Sequence, residues 1–243
     1  MNNQEEQKLN SQPNDVSVHF FVTGFGPFQG VASNPSSNLV NDLNDYIRSN
    51  PDFKLQVSAE ILETSAIYVK KRMDELFEKI DDDRKNLDGK IRQHYVVLHL
   101  GVSYMAKKIC LEQCAYNEAT FRIPDERGYQ PMQQCIVEDP SIKFGVCLET
   151  HLNITDIIGE NKDTAILSKD PGRFVCNYTY CYSLDKANSM ISNHDKETKP
   201  NVDVLFVHVP HFQQICKEDQ FRFLLKLMDS LHQQIQQRYE KEV

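Results

Sequence analysis

Short runs in which apolar residues alternate with polar ones, or stand unbroken, are separated by segments in which they recur every three to four positions. Val16 to Val22 reads Val-Ser-Val-His-Phe-Phe-Val, a β-rich run closed by Thr23-Gly24-Phe25-Gly26-Pro27, whose glycines and proline mark a turn. Asn34-Pro35 supplies an N-cap followed by proline at the first helical position, and Leu39, Val40, Leu43, Tyr46 and Ile47 then recur at helical spacing. Phe53 to Leu62 predicts a second strand. Ile67, Val69, Met73, Leu76, Phe77 and Ile80 predict a second amphipathic helix, and Asp81 to Lys90 a charged connector. Tyr95 to Leu100 is apolar throughout except His99, the character of a central strand covered on both faces.

Between Asn117 and Asp163 the periodicity fades, broken by Pro124, Gly128, Pro131, Pro140 and Gly145. Excursions this long inside a domain usually carry function, so residues 117–163 read as an irregular insertion that covers something. Regular structure resumes with a strand from Thr164 to Leu167, a helix from about Phe174 to Ile191, a strand from Val202 to Val209 and a last helix carrying Phe221, Leu224, Leu225, Met228, Leu231 and Ile235. The alternation predicts an α/β fold, a three-layer sandwich whose central sheet is mostly parallel and flanked by helices. The length of 243 residues suits one such domain over residues 16–243, preceded by a disordered polar tail at 1–15.

Charge and cysteine usage narrow the function classes. With 27 Lys plus Arg against 35 Asp plus Glu the net charge is −8, the wrong sign for a nucleic-acid partner. No apolar run approaches the roughly 20 residues that cross a bilayer, and the polar first residues do not read as a secretory signal. Seven scattered cysteines, an odd number, suit a reducing compartment and free thiols. The expectation is a cytoplasmic protein with neither a membrane nor a nucleic-acid partner. No feature sets an oligomeric state.

Three residues could carry chemistry. In Asp170-Pro-Gly-Arg-Phe-Val-Cys176-Asn177, Pro171-Gly172 makes a turn and Cys176 falls in the first turn of a helix. Unpaired N–H groups and the positive end of the helix dipole favour a thiolate there and offer donors to an oxyanion. A small buried thiol is the competing account of the same placement. His208 ends an apolar strand, where open α/β sheets place working residues, although core histidines are common there too. Glu112, in an apolar setting, could orient an imidazole or be a surface charge on a strand. The spacings Cys110-x3-Cys114 and Cys176-x4-Cys181 are not those of a zinc site, so neither metal nor cofactor is expected.

Taken together, several motifs carry a resemblance. Thr23-Gly-Phe-Gly-Pro-Phe-Gln-Gly30 with Asn34-Pro-Ser36, Leu111-Glu112 with Asn117, Arg122-Ile-Pro-Asp125 through Gly128-Tyr-Gln-Pro131, Gly172-Arg-Phe-Val-Cys-Asn177 and Val207-His-Val-Pro210 resemble, in order and spacing, the pyroglutamyl peptidase I family. The likeness runs from Val18 to about Pro210. It implies an α/β-sandwich cysteine peptidase that removes N-terminal pyroglutamate from peptides, with Cys176 as nucleophile, His208 as base and Glu112 as orienting carboxylate. It further implies Arg122 as a polar group for the oxyanion or substrate, and Phe25, Phe28, Val102, Ile123, Phe174 and Val175 as walls for the lactam. An ion pair with Asp125 or Glu126 is the competing role for Arg122. The chain departs from the bacterial pattern at Ser103-Tyr-Met-Ala-Lys-Lys108, where Gly-Gly-Arg is common, at Glu112-Gln-Cys-Ala115, and at Asp125-Glu126 in place of Asp-Asn, which resembles a diverged, eukaryote-like branch. A noncatalytic binding protein on the same scaffold, or an amidase for another small substrate such as glutamine, is the alternative.

Overall fold

The computed structural model describes residues 16–85, 92–192 and 201–241, so the expected N-terminal tail lies outside the described residues. The elements in order are β1 (Val16–Phe25), α1 (Pro35–Arg48), β2 (Gln56–Leu62), α2 (Ala66–Lys85), β3 (Arg92–Val102), β4 (Ile109–Glu112), β5 (Cys114–Tyr116), β6 (Cys147–Glu149), α3 (Ile154–Glu160), β7 (Ala165–Ser168), α4 (Val175–Ser192), β8 (Val202–Val209) and α5 (Lys217–Glu240). Six strands form one sheet in the order β2-β1-β3-β8-β4-β7, and β5 and β6 form a separate ribbon. Every pairing in the main sheet is parallel except β4 with β8. This is the mostly parallel α/β sandwich that the alternation of strands and helices predicts.

Period-two alternation divides the strands between two cores. Val18, Phe20 and Val22 of β1, Val96, Leu98 and Leu100 of β3, and Leu205, Val207 and Val209 of β8 pack on one face with α1, α3 and α5. Phe21 and Phe25, Tyr95 and Val97, and Val202, Val204 and Phe206 pack on the other with α2 and α4. Strands buried on both faces need apolar residues at nearly every position, which is why β3 and β8 read as mainly apolar runs, interrupted at His99 and Asp203.

Local chemistry sets the element ends. Asn34 caps α1 by accepting the Ser36 N–H, and Pro35 opens the helix. The helix α2 continues to Lys85 through the expected connector, where Lys85 pairs with Asp81 at 2.6 Å one turn back; residues 86–90 lie outside the described residues. Ile67, counted on the apolar face of α2, is instead 56% exposed at the helix start. The second strand begins at Gln56 rather than Phe53, and the segment 117–163 contains β6 and α3, both too short to show a period.

Candidate active site

The register of three strands brings the working groups together. Gly101 of β3 lies opposite His208 of β8, while Cys110 and Glu112 of the antiparallel β4 lie opposite His208 and Phe206. Gly101 shares the parity of Tyr95 and Val97, and His208 that of Val204 and Phe206, so both face α4. Glu112, out of phase with the core residues Ile109 and Leu111, turns to the same side. His208 Nδ1 donates to Glu112 Oε1 at 2.7 Å, both side chains being almost sealed from solvent. The remaining ring nitrogen, Nε2, is left for Cys176, which lines the same cavity and acts to raise the imidazole pKa.

The absence of a side chain at position 101 admits the sulfur. A Cβ there would stand 2.7 Å from Phe206 Cζ and 3.1 Å from Cys176 Sγ. Any other residue would push the thiol or the Phe206 ring aside. That ring in turn lies against His208, with centroids 4.8 Å apart.

The start of α4 is sewn in place by polar groups. Gly172 takes φ +78°, a left-handed conformation suited to glycine, and its N–H donates to Asp170 Oδ1. Arg173 bonds Glu118 and Asp170 and stacks over the Tyr116 ring at 4.0 Å. Asn177, fully buried, accepts the Tyr116 N–H and donates to the Tyr116 and Glu118 carbonyls. Cys176, the second residue of the helix, is thereby held between the β5 edge and the sheet, beside unpaired N–H groups. Asn177 stood in the sequence motif without a role; its adjacency to the cysteine was the only signal. The neighbouring Asn117 does similar work, accepting the N–H groups of Ile136 and Val137 and donating to the carbonyls of Val137 and Ile142. It organises the excursion from within.

Electrostatics distinguish this thiol–imidazole pair from the other groups of its kind. Burial disfavours a charged His208, but Cys176 and Glu112 outweigh it and raise the imidazole from 6.5 to about 10. Elsewhere burial pushes the Cys110 thiol up to about 11, and Cys181 higher still, keeping both protonated. Among the described residues Glu112 Oε2 is buried without a hydrogen-bond partner, which leaves His208 as the partner of the carboxyl group.

Cys176 and His208 open on a cavity of about 620 Å³ whose lining includes Phe28, Val102, Ile123 and Phe174, with Arg122 at its wall. Phe28 and Phe174 stand 6.1 Å apart, and Phe121 packs edge-on behind Phe174 at 4.8 Å. Arg122 is exposed and forms no ion pair among the described residues. Its competing partners are engaged elsewhere: Asp125 accepts the N–H groups of Ala66, Arg127 and Tyr129, and Glu126 that of Gln29. Phe25 and Val175 do not line the cavity. Both are buried in the core on the α4 face, Phe25 against Phe206, while Val175 points inward between Phe174 and Cys176, which face the opening. Among the described residues no group of three or more His, Cys, Asp or Glu side chains could hold a metal ion, and no helix is long and apolar enough to cross a membrane.

Comparison with known proteins agrees with the motifs. The family model described as pyroglutamyl peptidase matches residues 18–223. The pyrrolidone-carboxylate peptidase of Staphylococcus aureus is 33% identical over 206 residues, 83% of this chain and 84% of that one. Among solved structures, pyroglutamyl peptidase I of Bacillus amyloliquefaciens superposes with a TM-score of 0.66 at 23% identity, over 85% of this chain and 93% of its own. Pyrrolidone carboxyl peptidase of Fervidobacterium islandicum gives 0.67 at 24% identity, over 90% and 99%. The chain belongs to the pyroglutamyl peptidase family.

Proposed function

We propose that this chain is a cysteine peptidase that hydrolyses the N-terminal pyroglutamyl residue from peptides through Cys176, His208 and Glu112. Cys176 Sγ attacks the pyroglutamyl carbonyl carbon, and the carbonyl oxygen becomes an oxyanion. As the intermediate collapses the C–N bond breaks, and His208 Nε2 delivers a proton to the departing amine. Water then adds to the thioester while His208 takes one of its protons, and collapse releases free pyroglutamate and restores the sulfur. Glu112 holds the imidazole by Nδ1 throughout. The N–H of Cys176 and the Arg122 guanidinium are the donors for the oxyanion. Phe28, Ile123 and Phe174, with the backbone at Val102, enclose the neutral lactam, which has no free amine and calls for mainly apolar walls.

The reading rests on one observation, the Glu112–His208–Cys176 chain opening on an apolar-walled cavity. Seven cysteines, none in a disulfide, suit a reducing compartment and make a cytoplasmic location part of the reading. Paired reporter substrates test it. A pyroglutamyl anilide should be turned over at least about 10²-fold faster than the glutamyl anilide, because an ammonium group entering an apolar pocket goes unpaired. Equal rates would reassign the chain to a general amidase.

A further inference from the structure

The cavity is larger than the group assigned to it. A pyroglutamyl residue has about eight non-hydrogen atoms, which at water's share of about 30 Å³ apiece fill less than half of the 620 Å³. Two walls of different origin enclose the space. Phe28, Ile123 and Phe174 come from the loop after β1, the excursion after β5 and the entry to α4, and the Phe174 ring is backed by Phe121. The other wall is Ser103-Tyr104-Met105 after β3. The Ser103 N–H donates to the Val209 carbonyl at 3.0 Å, which carries this segment across the end of β8 beside His208. Tyr104 and Met105 are 49% and 91% exposed, and the Tyr104 ring rests against His211 with centroids 5.9 Å apart.

We propose that Tyr104 and Met105, with His211 backing the tyrosine, form the subsite for the residue that follows pyroglutamate and select an apolar or aromatic side chain there. The inference rests on the function proposed above. The amine that leaves must be within reach of His208 Nε2, so the residue bearing it sits on the histidine's side of the cavity, which is the wall that Tyr104 and Met105 supply. The lactam takes the opposite, aromatic wall. An unbranched thioether beside a phenol ring adapts to side chains of varied shape and makes favourable sulfur–aromatic contacts. Both side chains gain burial only when something apolar covers them.

A series of pyroglutamyl dipeptide amides with Phe, Leu, Gly or Asp in second position tests this by kcat/KM. Phe and Leu should exceed Gly by about tenfold, the effect of half-burying one apolar side chain, and Asp should fall below Gly. In the double variant Tyr104→Ser with Met105→Ser, at exposed positions, the Phe-to-Gly ratio should drop toward one. A wild-type ratio near one, or an unchanged ratio in the double variant, overturns the subsite while leaving the peptidase reading intact. If folded wild-type protein cleaves none of the peptides, the peptidase reading fails. Calorimetric binding of the same amides to Cys176→Ala then decides the subsite, a preference for Phe over Gly supporting it and equal affinities overturning it.

Discussion

Among the described residues, one buried histidine–carboxylate pair bridges β3 and β8 and a second bridges β8 and β4. At one end of β3 and β8, His94 Nε2 donates to Asp203 at 3.0 Å. At the other, His208 Nδ1 donates to Glu112 at 2.7 Å. Among the described residues, each carboxyl group leaves one oxygen buried without a hydrogen-bond partner. The difference lies in the second ring nitrogen. His94 Nδ1 is hydrogen-bonded to the Tyr239 hydroxyl, Arg238 adds its charge to Asp203, and both side chains of the pair are fully enclosed. His208 turns its second nitrogen to a thiol and a cavity. A histidine bonded on both nitrogens tethers α5 to the sheet, whereas one with a nitrogen turned to a cavity can pass a proton on. His99 supplies the control between them: hydrogen-bonded on both nitrogens, to Thr23 and Ser183, it lacks a charged partner, and burial lowers it to about 3.

The largest effect should separate the two pairs outright. His208→Ala should lower kcat/KM by at least about 10⁴-fold, and Glu112→Gln by less, since a group that orients usually contributes less than the group it orients. Asp203→Ala should instead cost about 3–5 kcal/mol of stability, the price of an unpaired buried group, with turnover per folded molecule kept. Urea titrations beside initial rates would show this. Loss of turnover in both, or in neither, would erase the distinction.

Next in size is Gly101→Ala. The new methyl meets Phe206 and the Cys176 sulfur, and displacement of a reacting atom by about an ångström should reduce turnover roughly 10²-fold while circular dichroism reports a native fold. Unchanged kinetics would mean that the sulfur reacts from elsewhere.

The smallest effects are read in pH. His208 is raised, so its charge stabilises the fold fully below about 6.5, and that contribution is lost as pH rises through about 10. Proton delivery to the amine should hold up to the same alkaline limit, and Glu112→Gln should move the limb downward. His99 works in the opposite sense. Held neutral in the fold, it favours unfolding as pH drops below about 6.5 toward 3, so an apolar replacement of similar volume should flatten the acid side of the stability curve.

Much of this was legible in the sequence where the physics is local. Asn34-Pro35 announces α1, the mainly apolar run from Tyr95 to Leu100 announces β3, and Pro171-Gly172 announces the turn before Cys176. The strands β5 and β6 and the helix α3 were not legible, since three to seven residues cannot display a period. Gly101 was missed because its reason for being glycine lies on α4, far along the chain. The resemblance alone places Phe25 and Val175 at the pocket, and a motif match fixes position along the chain but not the direction in which a side chain points. The pairing of His208 with Glu112, 96 residues apart, came from motif order rather than from periodicity.

Release of free pyroglutamate from a short pyroglutamyl peptide, measured for wild-type protein and for Cys176→Ala, tests the central claim most directly. The wild type should release it stoichiometrically, in a reaction stopped by a thiol alkylator, and a Cys176→Ala protein that melts like the wild type should release none above background. Undiminished release from that variant would contradict the claim.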